Sequence, residues 1–207
     1  MIENIEKKIK WYHNLNKIAE KGAIVFTGSS FMQDFPIKEL ESNFHVEQMI
    51  YNRGIAGLTI EKLQECLSAC VFELSPTKIF LSIGEEDINT EGFSLESFIN
   101  NYLQIIVAIK NKLPAAKIYV IGLLPIVAGY KEVNKQLQRA VSACKCEYLD
   151  FENVLLDKNN NLKAEYISEY TAISPSAYVA ILRDLKMFFR NRMMGFGEVW
   201  NMVENWN

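Results

Sequence analysis

Two periodicities alternate along this chain. Residues 1–22 place Ile5, Ile9, Tyr12, Leu15 and Ile18 at helical spacing, and Gly22 marks the end of that N-terminal helix. Short apolar runs then alternate with helix-period segments. "AIVFTG", "VEQMIYNRG", "KIFLSIG", "KIYVIGLLP" and "EYLDF" read as strands. "FPIKELESNF", "LTIEKLQECLSACVFEL", "SLESFINNYLQIIVAIKNKLP", "YKEVNKQLQRAVSACK" and "SPSAYVAILRDLKMFFRNRMM" read as helices. Strands that run on as Val, Ile and Phe are buried on both faces, which goes with a parallel sheet covered by helices. Strict strand–helix alternation with right-handed crossovers predicts an α/β protein. The expected form is a three-layer α/β/α, flavodoxin-like doubly wound sheet of about five parallel strands. No repeat or low-complexity linker divides residues 1–207, so a single domain is expected. The aromatic tail 195–207, "GFGEVWNMVENWN", is expected to pack back onto that body. A contact with a second copy, or a lid near the site, is its alternative.

Composition narrows the classes. Hydrophobic residues at 49% and charged residues at 23% describe an ordinary globular chain. A net charge of −3 with no basic stripe argues against nucleic acid as a partner. No apolar stretch approaches the roughly 18 residues that span a bilayer, so no membrane partner is expected. The N-terminus is charged and amphipathic, unlike a signal peptide, and the expected location is cytoplasmic. Cys66 and Cys70 share a helix face, and Cys144 and Cys146 flank Lys145. Neither spacing is that of a zinc finger, so the cysteines are expected to pack as small buried hydrophobes, with no metal and no disulfide. No Walker-type loop and no dinucleotide fingerprint is present, and no cofactor is expected.

In an open parallel sheet, ligands bind beyond the C-terminal ends of the strands. There the chain places Thr27-Gly28-Ser29-Ser30, then Asn52-Arg53-Gly54-Ile55-Ala56-Gly57, then Gly84-Glu85-Glu86-Asp87. Asn134 follows the fourth strand, and "EYTAISPSAY" (169–178) precedes the last helix. This order resembles the SGNH, or GDSL-type, hydrolases: esterases and lipase-like acylhydrolases. The resemblance runs from about Ala23 to about Phe189. "GSS" stands where the family reads "GDS", which implies Ser30 as nucleophile and Ser29 in the aspartate's place. "NRGIAGLT" resembles "NRGISGDT", which implies the Gly57 N–H as an oxyanion-hole donor. "GEED" resembles "GxND" but puts Glu86 where the oxyanion-hole asparagine belongs. "EYTAISPSAY" resembles "DGxHLSPxGY", with Glu169 at the aspartate and Ala172 at the histidine.

The departures bear on the chemistry. A serine hydroxyl is a weak nucleophile until a base takes its proton, and Ala172 has no proton-accepting group. The two histidines, His13 and His45, lie in the N-terminal helix and at the far end of the second strand. An ionised Glu86 repels an oxyanion instead of donating to it, unless its neighbours keep it protonated. Three adjacent carboxylates otherwise read as a solvated loop. Glu169 is the candidate substitute base, and Ser29, Asp87 and Asn134 are candidate ligand-binding residues. A metal held by Glu85, Glu86, Asp87 and Glu169 has no diagnostic spacing.

Three readings follow. One is an impaired hydrolase or pseudoenzyme whose Ser30 is a vestige, retaining a pocket for a ligand or a partner. The second is a serine esterase acting on a small ester or acetylated sugar, with Glu169 as base. The third is a flavodoxin-like module whose "TGSS" turn holds a phosphate or flavin. In the first reading, the Gly-Ser turn simply ends a strand and caps the next helix.

Overall fold

A computed structural model describes residues 2–190. The chain order is α1 (Ile2–Asn16), β1 (Ile24–Gly28), α2 (Ser30–Gln33), α3 (Ile37–Asn43), β2 (Ile50–Gly54), α4 (Ile60–Cys70) and β3 (Lys78–Ser82). It continues with α5 (Glu85–Ile88), α6 (Leu95–Lys112), β4 (Lys117–Ile121), α7 (Tyr130–Ala143), β5 (Glu147–Leu149), α8 (Glu152–Leu155) and α9 (Pro175–Phe189). The five strands form one sheet in the order β2-β1-β3-β4-β5, and every pairing is parallel. This is the doubly wound order, whose crevice lies at the C-terminal ends of β1 and β3.

Side chains leave a strand to opposite faces in turn, and the two faces build two cores. Ile79, Leu81, Ile118 and Val120 pack under α1, α4, α6 and α7. Phe26, Phe80, Tyr119 and Ile121 pack under α2, α3, α8 and α9. Strand register sets Phe26 beside Phe80 and Phe80 beside Tyr119. The Phe80 and Tyr119 rings stack at 4.6 Å, and Phe189 of α9 meets Phe80 edge-on at 5.4 Å. Buried Lys78 fastens the end of α9. Its ammonium donates to the Phe188, Phe189 and Arg190 carbonyls at 2.7, 2.8 and 2.7 Å, satisfying the open acceptors of a helix C-terminus.

Three expectations are corrected. The N-terminal helix stops at Asn16, well short of Gly22. Asn16 is buried, donates to the Ala69 carbonyl at 2.8 Å and accepts from Arg53 Nε at 3.0 Å. Lys21 Nζ then takes the Asn16 carbonyl at 3.0 Å, closing the helix end. Ile18 therefore falls beyond the helix and is 84% exposed. The acidic run Glu85-Glu86-Asp87 is a short helix, α5, with all three residues half-buried, and so is not a solvated loop. The last helix ends at Phe189, and the tail 195–207 lies outside the described residues. Cys66, Cys70 and Cys146 are buried and all four thiols are free, with Cys66 and Cys70 sulfurs 3.6 Å apart. Among the described residues, no helix is long and apolar enough to cross a membrane.

The "NRG" segment has a structural duty. Asn52 Nδ2 donates to the Met32 carbonyl at 2.6 Å, and its Oδ1 accepts from Gly54 N–H at 2.8 Å. It thus ties α2 to the end of β2. A β-carbon on Gly54 would lie 2.3 Å from the Gln33 nitrogen, so α2 and β2 meet only across a glycine. Asn52→Ala removes this tie and leaves buried carbonyls unpaired. A loss of about 1–3 kcal/mol is expected, read as a lower urea midpoint at unchanged slope.

Candidate functional site

The site grows from the end of β1. Gly28 has φ of +141°, and a β-carbon there would lie 1.7 Å from the Ser82 carbonyl oxygen. Ser29 N–H donates to that same oxygen at 3.1 Å, so the ends of β1 and β3 are held against each other. Ser30 follows as the first residue of α2, half-exposed. Ser29 does not cap α2 through its side chain. It is fully buried, and its hydroxyl makes no hydrogen bond of normal geometry.

Tyr178, from "ISPSAY", stacks on Phe31 of α2 at 5.5 Å with the rings 10° apart. This contact brings the loop before α9 over the Ser30 turn. The result is a cavity of about 390 Å³, lined by Ser30, Phe31, Ser82, Glu85, Asn89, Leu124, Ile126, Val127, Ala128 and Ala172. That size suits a small molecule. The structure thus brings Ser30 and Ala172 together, as the order of the motifs implied.

It does not bring the other candidates there. Glu85 lines the cavity, and Glu86 does not. Asp87 faces the other way: both carboxylate oxygens accept from the Ile60 N–H at 3.2 Å, at the first turn of α4. Burial raises its pKa, the Ile60 N–H opposes that, and the charge of Glu86 adds to the rise. Asn134 pins the end of β4, accepting from Leu123 N–H at 2.8 Å and donating to the Leu123 carbonyl at 2.9 Å. Gly57 sits in the β2–α4 turn and Glu169 is exposed; neither lines the cavity. His13 Nδ1 lies 2.5 Å from Glu73, a contact between α1 and the turn after α4. Exposed His45 precedes β2, at the N-terminal edge of the sheet.

Glu85 is the residue the motif alignment passed over, since "GxND" leaves its position unspecified. The signal available was its place as the second residue after β3, across the switch point from Ser30. Its Oε1 accepts from Phe31 N–H at 3.3 Å. Burial raises the Glu85 pKa above the ordinary carboxylate range. The Phe31 and Ser30 N–H groups and the Ser29 hydroxyl oppose the rise without cancelling it. A carboxylate therefore rests on the backbone N–H groups of the serine turn. In a serine hydrolase such donors would face a developing oxyanion.

No family model matches the sequence, and no curated protein does. Solved structures do. A Streptococcus pneumonia protein described provisionally as a platelet activating factor is 28% identical, with a TM-score of 0.83 over 92% of this chain and 94% of that one. A GDSL-like lipase from Bacteroides thetaiotaomicron is 16% identical, with a TM-score of 0.71 over 87% of this chain and 96% of that one. An acetylxylan esterase from Geobacillus stearothermophilus is 14% identical, with a TM-score of 0.65 over 85% of this chain and all (100%) of that one.

A raised carboxylate pKa means that the folded state holds its proton to higher pH than the unfolded state does. Glu85 thus costs stability above its folded pKa, and the cost fades as pH falls toward the unfolded value. Glu85→Gln keeps an acceptor for Phe31 N–H and removes the charge. Its melting temperature is expected to exceed that of the wild type at about pH 8, with the gap closing by about pH 4. Paired thermal melts across that range read the difference.

Proposed function

We propose a function on one premise: by fold, this chain belongs to the SGNH/GDSL hydrolases. The chain keeps the family's pocket and has lost its hydrolytic machinery, and it acts by binding a small ligand at Ser30. The observation that carries this is the cavity wall. Ala172 stands beside Ser30 where the resemblance implies a histidine, and no imidazole lines the cavity. General-base help is worth about 10²–10⁴ in rate, and a methyl group supplies none. Glu85 adds a second obstacle. While ionised, it occupies serine-turn donors and repels the negative charge of a tetrahedral intermediate.

One observation favours the esterase reading. Glu85 shares the cavity with Ser30, and its raised pKa moves it toward that of a working base. In that case Glu85, and not Glu169, takes the serine proton. Hydrolysis of short-chain aryl esters separates the two. Wild-type turnover is expected to equal that of Ser30→Ala. Ala172→His is expected to restore Ser30-dependent turnover, and adding Glu85→Gln to raise it further. Wild-type turnover that disappears in Ser30→Ala overturns the binding reading, and its loss in Glu85→Gln then names the base.

A further inference from the structure

The character of the cavity says what it holds, given the non-hydrolytic reading above. Of the residues around it, only Glu85 carries a charge, and that charge is negative. No lysine, arginine or histidine lines the wall, and Glu85 is in none of the ion pairs among the described residues. Its one hydrogen bond of normal geometry is the 3.3 Å contact from Phe31 N–H. Much of the remaining surface is apolar: Leu124, Ile126, Val127 and Ala128 follow β4, and Phe31 and Ala172 close the other sides. Ile126, 42% exposed, stands where the cavity opens to solvent.

An ionised carboxylate in such surroundings has lost water without gaining a partner, which is unfavourable. A ligand that brings a cationic donor offsets that loss. A charge-assisted N–H to carboxylate bond is about twice as strong as a neutral one. An anionic ligand meets repulsion from the only charge present, and a neutral one leaves it unpaired. The site therefore has the reverse electrostatics of an oxyanion hole. We propose that the Ser30 cavity binds a small amphiphile bearing a primary ammonium group. Its N–H donors meet the Glu85 carboxylate, and its alkyl part lies along Leu124, Ile126 and Val127. Ser30 and Asn89 serve as polar neighbours of the head group and do no chemistry.

Hexylammonium, hexanol and hexanoate share one chain and differ in head-group charge. Titration of each into the wild-type protein near neutral pH, followed by calorimetry and by methyl NMR shifts, tests the assignment. Hexylammonium is expected to bind about tenfold more tightly than hexanol, the order of one charge-assisted bond. Hexanoate is expected to bind most weakly, and the shifts to fall on Leu124, Ile126 and Val127. Glu85→Gln is expected to bring hexylammonium to the hexanol affinity. Glu169→Gln removes an exposed charge outside the cavity and keeps the preference, separating the site from the net charge of −3. Equal affinities in the wild type, preference for hexanoate, shifts elsewhere, or a preference that survives Glu85→Gln overturns the proposal. The wild-type series decides even if Glu85→Gln fails to fold. Ser30-dependent ester turnover overturns the binding function and leaves this ligand class standing. Loss of the ammonium preference in a protein without turnover overturns only the ligand class.

Discussion

The close approach of β1 and β3 at Gly28 and Ser82 governs the rest of the site. A side chain at Gly28 would collide with the Ser82 carbonyl, and Ser29 N–H holds that carbonyl from the next residue. Ile55 N–H in turn takes the Gly28 carbonyl at 2.9 Å, which draws in the turn after β2. Three strand ends converge there on one glycine. Whatever follows β1 and β3 by two or three residues must share one small volume. Ser30 and Glu85 are those residues. Their meeting follows from sheet geometry and needs no further contact between them.

The second layer of the argument is the anchoring of α2. Asn52 holds it from β2, Gly54 lets it come close, and Tyr178 stacks on it from α9. These residues belong to the segments that carry the family resemblance. Their duties here are mechanical, and none donates a proton or attacks a carbonyl. "NRG" and "SPSAY" can therefore persist while the catalytic positions between them change. The likeness to solved lipases and esterases is a likeness of this frame.

The frame was legible in the sequence because burial on both faces writes itself as unbroken apolar runs, as in "AIVF" and "KIFL". The placing of Ser30 beside Ala172 was legible for the same reason, since strand order fixes which loops meet. Individual carboxylates were not. Glu85, Glu86 and Asp87 are adjacent and chemically alike, and their directions depend on the one-turn helix α5, which no periodicity reveals at four residues. That turn sends Glu85 to the cavity and Asp87 to the first turn of α4. Asn134 was misread similarly: a buried amide with both functions paired to Leu123 looks the same in sequence as a ligand-facing one. Ile18 shows the opposite failure, an apolar residue in helical phase left exposed because Asn16 is spent on tertiary bonds.

The replacement of a base by Ala172 is cheap for the fold. A histidine there would require a partner for each ring nitrogen or an opening to water, whereas a methyl group asks for neither. The wall formed by Ala172 with Leu124 and Val127 is more apolar for the change. The same substitution raises the cost of an ionised Glu85, since a neighbouring imidazolium would have balanced it. The two departures are therefore coupled. Loss of the cation leaves the carboxylate unpaired, and an unpaired carboxylate in an apolar cavity favours ligands that restore the missing positive charge.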